Sequence, residues 1–182
     1  MAKIVIIGAG AMGTAFALPC LDNNHDINIV GTHLENDFIE ELKNSNNLHP
    51  GLNTQIPQEI KIFKFEKFEE LLKSNVDLIV LGISSKGIEW VSDQLSKLYT
   101  DNAIPKLLML TKGLSIYNNQ YELLVDKLER LLADRGMKKV KISAVGGPCV
   151  AAGLAKRVHS SVVIANKDIQ TAKKIADMLN TN

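Results

Sequence analysis

The stretch Lys3-Ile4-Val5-Ile6-Ile7-Gly8-Ala9-Gly10-Ala11-Met12-Gly13 decides the fold. Its first half is an unbroken, largely β-branched apolar run, the composition of a strand covered on both faces of a parallel sheet. Its second half reads G-x-G-x-x-G. That spacing alone arises in many glycine-rich turns, and its context is what makes it informative. A strand precedes it, a helix from about Ala11 to Asp22 follows, and a second strand at Ile27 to Val30 comes within about twenty residues. In a dinucleotide-binding turn Gly8 permits the tight bend, Gly10 lets the backbone approach a pyrophosphate, and Gly13 lets the helix sit close to the strand. The free amides around Ala11 and Met12, at the positive end of the helix dipole, attract the phosphates. The competing reading is a tight strand-to-helix turn with no ligand.

Working outward, short β-rich runs alternate with helical periodicity along the whole chain. That order predicts an α/β fold: a doubly wound, mostly parallel Rossmann-type sheet with helices on both faces. Pro19 is expected to kink or end the first helix late. A polar helix is expected from Glu35 to Asn44, then a loop rich in Asn, Gly and Pro from Asn44 to Pro57. A strand at Ile60 to Phe65 and a short helix to Lys73 follow. Next come a buried strand at Val76 to Ile83 and a helix marked by Ile88, Val91, Leu95 and Leu98. A strand at Leu107 to Leu110 ends at Thr111-Lys112-Gly113. Leu123, Leu124, Leu128, Leu131 and Leu132 mark another amphipathic helix. A strand at Val140 to Val145, a short helix near Ala151 to Lys156, a strand at Ser161 to Ala165 and a helix from Asp168 to Leu179 complete the reading.

The 182 residues carry 21 Lys plus Arg against 20 Asp plus Glu, with 46% hydrophobic content. A net charge of +1 argues against a nucleic-acid partner. Two cysteines, Cys20 and Cys149, stand far apart in no ligand or redox spacing, so no metal and no disulfide are expected and a cytoplasmic location suits them. The uncharged run from Ile4 to Leu21 superficially resembles a membrane span, but Gly8, Gly10, Gly13 and Pro19 interrupt it; no span is expected. Arginine is absent before Arg130. Phosphate recognition in that region therefore falls to Lys, hydroxyls or amides.

The tip of the second strand selects between nicotinamide cofactors. An acid there holds the ribose of NAD, and a nearby Arg accommodates the 2′-phosphate of NADP. Here the tip is Val30-Gly31-Thr32-His33-Leu34-Glu35. Thr32 and His33 could meet either group, Glu35 could turn inward, or His33 and Glu35 could be solvated helix-start residues. NAD versus NADP stays open at this point.

Three further features fall at predicted strand ends, where open α/β sheets bind ligands: Gly82-Ile83-Ser84-Ser85, Thr111-Lys112-Gly113-Leu114 and Gly146-Gly147-Pro148-Cys149-Val150-Ala151. With the opening G-A-G-A-M-G-T-A, His49-Pro50-Gly51-Leu52 and Ala155-Lys156-Arg157-Val158, this order resembles the N-terminal domain of NAD(P)-dependent glycerol-3-phosphate dehydrogenases. The resemblance spans essentially the whole chain. It implies a nicotinamide cofactor and a small phosphate substrate, reduction of dihydroxyacetone phosphate to sn-glycerol 3-phosphate, and a role in phospholipid biosynthesis. It makes Lys112 the active-site lysine of this domain, able to neutralise the substrate phosphate or the developing oxyanion; the alternative is a solvated lysine after a strand. It puts Gly147 and Cys149 against substrate, and Ala151, Met12 and Ser84 near the cofactor. Cys149 stands where the family usually has Ser, Thr or Ala, and small buried filler is its plainer role; core packing is that of Met12.

The family resembled carries a second, all-helical domain with the proton-transferring lysine, absent from residues 1–182. A piece of a longer enzyme is therefore expected, binding cofactor without useful turnover. A sister reductase for a hydroxy acid or sugar nucleotide, or a non-catalytic nucleotide-binding module, are the other readings. Apolar surface facing the second domain could drive formation of a homo-oligomer.

Overall fold

The computed structural model describes residues 1–181. The chain opens with β1 (Lys3–Ile7), α1 (Ala11–Asp22), β2 (Asp26–Val30) and α2 (Asn36–Asn44). A small antiparallel pair, β3 (Leu48–His49) and β4 (Thr54–Gln55), follows. Next come β5 (Lys61–Phe63), a 3-10 turn at Phe65–Lys67, α3 (Phe68–Lys73), β6 (Leu78–Leu81), α4 (Ile88–Leu98) and β7 (Lys106–Met109). A hairpin of β8 (Leu114–Tyr117) and β9 (Gln120–Leu123) leads into α5 (Leu124–Asp134). The last elements are β10 (Ile142–Gly146), α6 (Ala151–Ala155), β11 (Val163–Ala165) and α7 (Ile169–Leu179).

Seven strands form one sheet in the order β11-β10-β7-β6-β1-β2-β5. All neighbours are parallel except β11, which runs antiparallel to β10. From β1 the chain builds outward through β2 to β5, then crosses back to place β6 on the other side of β1. The seam between β1 and β6 is therefore the point where the winding reverses, the place where open α/β sheets form their ligand crevice.

Alternation along β1 shows why its sequence is apolar throughout. Ile4 and Ile6 enter a core with Phe16, Ala17, Ile39, Leu42, Ala155 and Ile175, from α1, α2, α6 and α7. Val5 and Ile7 enter a second core with Leu72, Val91, Leu95, Leu128 and Leu132, from α3, α4 and α5. Helix α1 is buried along most of its length, from Gly13 to Leu18 and again at Cys20, which accounts for the false membrane signal. It runs through Pro19 without ending there. Helix α7 starts where Asp168 accepts hydrogen bonds from the amides of Gln170 and Thr171, a side-chain cap for two otherwise unpaired donors.

Several local expectations need correction. Asn44 to Pro57 is not wholly loop, because it contains the β3–β4 pair. Leu123 does not belong to the amphipathic helix: it ends β9, is exposed, and the buried helical row is Leu124, Leu128 and Leu132. The β8–β9 hairpin itself was not foreseen. Its Leu114, Ile116, Tyr121 and Leu123 point into solvent, so burial gave no cue to it.

Candidate active site at the carboxyl ends of the strands

Three glycines lock the reversal point together. A Cβ on Gly8 would lie 2.7 Å from the Gly82 carbonyl oxygen, one on Gly13 2.5 Å from the Gly8 oxygen, and one on Gly82 2.9 Å from the Gly13 Cα. Gly8 also sits at φ +104°, where side chains are strained. Gly10 differs from all three: a Cβ there would meet no atom within 4 Å. The protein's own packing does not demand glycine at position 10. Open space over its backbone is what a pyrophosphate approaching the turn requires.

The backbone of Ala9, between these glycines, is held through both its amide and its carbonyl. Its amide donates to Glu35 Oε1 at 3.0 Å. Its carbonyl accepts the Thr14 hydroxyl at 3.0 Å and lies 3.2 Å from His49 Nε2. Glu35 Oε2 also accepts the Thr32 amide at 2.7 Å. Glu35 has therefore turned inward, bridging the glycine turn to the tip of β2. Helix α1 has no side-chain cap and no acidic residue in its first turn, leaving its leading amides unopposed.

At the β2 tip Thr32 is half-buried and His33 is exposed. The His33 ring lies 5.1 Å from that of Trp90 and 6.1 Å from that of Phe65, centroid to centroid. Phe65, Phe68 and Trp90 form an aromatic cluster beside the tips of β2, β5 and β6. The sequence reading does not find this platform: it places Phe65 only at a strand-to-helix junction and says nothing of Trp90.

Further along the same edge, the Thr111 hydroxyl donates to the Ile83 carbonyl, tying the β7 tip to the β6 tip. Lys112 follows with its ammonium nitrogen 2.6 Å from the Gly147 carbonyl oxygen, across at the β10 tip. Gly147 is at φ +99°, and its oxygen also accepts the Cys149 amide at 3.0 Å. Lys112, Gly147 and Cys149 are thus brought together. Ser84 is exposed at the β6 tip. Ala151 begins α6, and both it and Met12 pack half-buried against the first core.

Cys149 is half-buried rather than the buried filler expected, because it leaves the β10 tip in a turn. Burial raises its thiol pKa, and the Lys112 charge opposes that only in part. Cys20 is enclosed in α1 and pushed up to about 12 by burial. Both thiols are free. Among the described residues no cluster of His, Cys, Asp and Glu could hold a metal ion, and no helix is long and apolar enough to cross a membrane.

Glycine turn, reversal point and strand-tip lysine thus lie along one edge, in the order in which the sequence motifs occur. The family described as NAD-dependent glycerol-3-phosphate dehydrogenase N-terminus matches residues 3–172. The chain belongs to that family. It is 28% identical over 178 residues to an NADP(+)-dependent glycerol-3-phosphate dehydrogenase of Archaeoglobus fulgidus, covering 98% of this chain and 50% of that protein. It is 32% identical over 181 residues to a glycerol-3-phosphate dehydrogenase [NAD(P)+] of Rickettsia typhi, covering 98% and 52%. The fold is similar to that of a glycerol-3-phosphate dehydrogenase from Coxiella burnetii, with TM-score 0.80 at 21% identity over 100% of this chain and 51% of that one. The chain spans about half the length of the relatives it matches.

Proposed function

We propose that the chain is the nucleotide-binding half of an NAD(P)-dependent glycerol-3-phosphate dehydrogenase, which interconverts dihydroxyacetone phosphate and sn-glycerol 3-phosphate. The observation that carries this reading is the contact of Lys112 with the Gly147 carbonyl, in line with the open glycine turn on the same sheet edge. The absence of any protein atom within 4 Å of a Cβ on Gly10 and the uncapped start of α1 suit a pyrophosphate. When bound, the nicotinamide supplies or accepts the hydride at C2 of the substrate.

The roles of this chain's residues follow from chemistry. Amides at Gly10, Ala11, Met12 and Gly13 hold the phosphates, with Gly8 shaping the turn. Thr32 and His33 face the adenosine ribose, His33 on its aromatic platform, while Ser84 and Ala151 flank the nicotinamide end. The Lys112 ammonium neutralises the substrate phosphate or the oxyanion that develops on the carbonyl oxygen. Gly147 and Cys149 line the substrate position through their backbone. The proton for that oxygen comes, by the family resemblance, from a lysine of a second, helical domain. Glu35 already accepts two backbone amides and no arginine lies near, so the reading covers both NAD and NADP.

A cytoplasmic location, on the two free thiols, and self-association through exposed apolar residues such as Ile116 and Tyr121 belong to the same proposal. Titration of the 182-residue chain with NADH and NADPH, followed by nicotinamide fluorescence, tests it. Saturable binding of at least one nucleotide without dehydrogenase turnover is expected. Binding of neither nucleotide, or turnover of dihydroxyacetone phosphate at rates ordinary for a dehydrogenase, would overturn it.

A further inference from the structure

We infer that His49 is a positioning residue for the dinucleotide: from the β3–β4 excursion it holds the Ala9 carbonyl, and so keeps the glycine turn's free amides converged on the phosphates. The inference rests on the nucleotide-binding reading above.

His49 is 3% exposed, one of very few polar side chains in the interior. A carbonyl oxygen can only accept, so the hydrogen between His49 and Ala9 belongs to Nε2. Nδ1 of the neutral ring is then a bare acceptor, buried and without a partner. An orphaned buried acceptor carries a stability cost. A phenylalanine would fill the same space against Phe38, whose ring lies 5.3 Å away, without that cost. The polar ring is explained by what its other nitrogen does.

What it does concerns a single residue, whose carbonyl shares its peptide plane with the Gly10 amide. Glu35 takes the Ala9 amide, and Thr14 takes one lone pair of its carbonyl. His49 supplies the second carbonyl contact from 40 residues away, beyond α2. Gly51 brings the same excursion against the start of α1: a Cβ there would lie 3.3 Å from His49 Cε1 and 3.9 Å from the Ala11 Cβ. The excursion is therefore a wall of the phosphate cradle, with His49 as its fastening. Burial lowers the imidazole pKa, outweighing the carbonyls of Ala9 and His49 that favour its charged form, in keeping with a neutral ring.

Two variants separate this role from packing. His49→Phe keeps the ring against Phe38 and removes the donor; His49→Gln removes the ring and keeps a donor of similar reach. Both are titrated with NADH and NADPH and melted thermally. The Phe variant is expected to melt no lower than the wild type yet bind about tenfold more weakly, the scale of one hydrogen bond. The Gln variant is expected to bind within about threefold of wild type, whatever its melting temperature. A Phe variant that binds as tightly as wild type, or a Gln variant as weak as Phe, overturns the inference. Nitrogen-15 NMR of the wild-type histidine supplies a readout that needs no variant. A neutral ring protonated at Nε2, shifting on addition of NADH or NADPH, is expected, and protonation at Nδ1 alone sinks the idea. If the wild type binds neither nucleotide, the functional reading fails and this one falls with it; binding by wild type and Phe variant alike removes only this one.

Discussion

Gly8 and Gly82 face each other across the seam between β1 and β6 so closely that a methyl group on Gly8 would stand 2.7 Å from the Gly82 carbonyl oxygen. Gly13 closes the triangle, and none of its neighbours here is a flexible side-chain end. Alanine at position 8, 13 or 82 must therefore displace backbone. Each of these three substitutions is expected to destabilise the fold by about 1–3 kcal/mol. Gly10→Ala is expected to leave stability within about 0.5 kcal/mol and to lose nucleotide affinity. Urea unfolding and NADH titration of the four variants check the division. Equal destabilisation at all four sites would remove the assignment of Gly10 to ligand.

Lys112 touches the protein at its charged end through the Gly147 carbonyl, and its side chain is otherwise exposed. Removing it should cost the fold little. In the dehydrogenase proposed above, Lys112→Ala is expected to lower kcat/KM for dihydroxyacetone phosphate by about 10²–10³, the loss typical of one preorganised charge-stabilising donor. Steady-state kinetics beside a melting curve decide this. Unchanged kinetics would free Lys112 of any part in the reaction.

The thiols differ in access as well as in pKa. Cys20 is 1% exposed inside α1, whereas Cys149 is half-buried at the β10 tip. An aromatic disulfide reagent at neutral pH is expected to label Cys149 in the native protein, and Cys20 only after unfolding. Mass spectrometry of the labelled peptides reads the order. Early labelling of Cys20 would mean that α1 opens readily.

Two shifts set limits on stability at opposite ends of the pH scale. His49 has its pKa lowered by burial, so below about pH 6.5 the unfolded chain binds a proton that the folded one resists, and stability falls as the pH drops. Cys20 has its pKa raised from 9.0 to about 12, so stability falls as the pH rises above 9.0, where the unfolded thiol ionises first. Urea unfolding between pH 5 and 10 is expected to show a maximum near neutrality. In His49→Phe the acid-side decline should be shallower. An unchanged acid limb would show that His49 is not the group responsible.

The sheet was legible because burial on both faces writes it into strands such as Lys3–Ile7 and Leu78–Leu81 as continuous apolar runs. The glycine turn and Lys112 were legible because each sits at the end of such a run. Glu35 could not be resolved from sequence, since nothing local distinguishes a solvated helix-start acid from one reaching back to Ala9, 26 residues earlier. His49 was passed over within a quoted motif for the same reason: its partner is 40 residues distant. The β8–β9 hairpin did leave a signal. Asn118 and Asn119, both at positive φ, form the two-residue turn that joins antiparallel strands of twisted sheets. Its apolar residues face outward, so no expectation of burial drew attention to them.

The clamp on Ala9 also bears on how the motif can be moved or inherited. Residues 8–13 carry the recognisable pattern, yet the backbone of Ala9 within it is held by Thr14, Glu35 and His49. Grafting the hexapeptide onto another strand and helix would transplant the signature and leave behind the geometry. The portable unit of this cradle runs at least from β1 to β4, and its turn must still find a glycine in the place of Gly82.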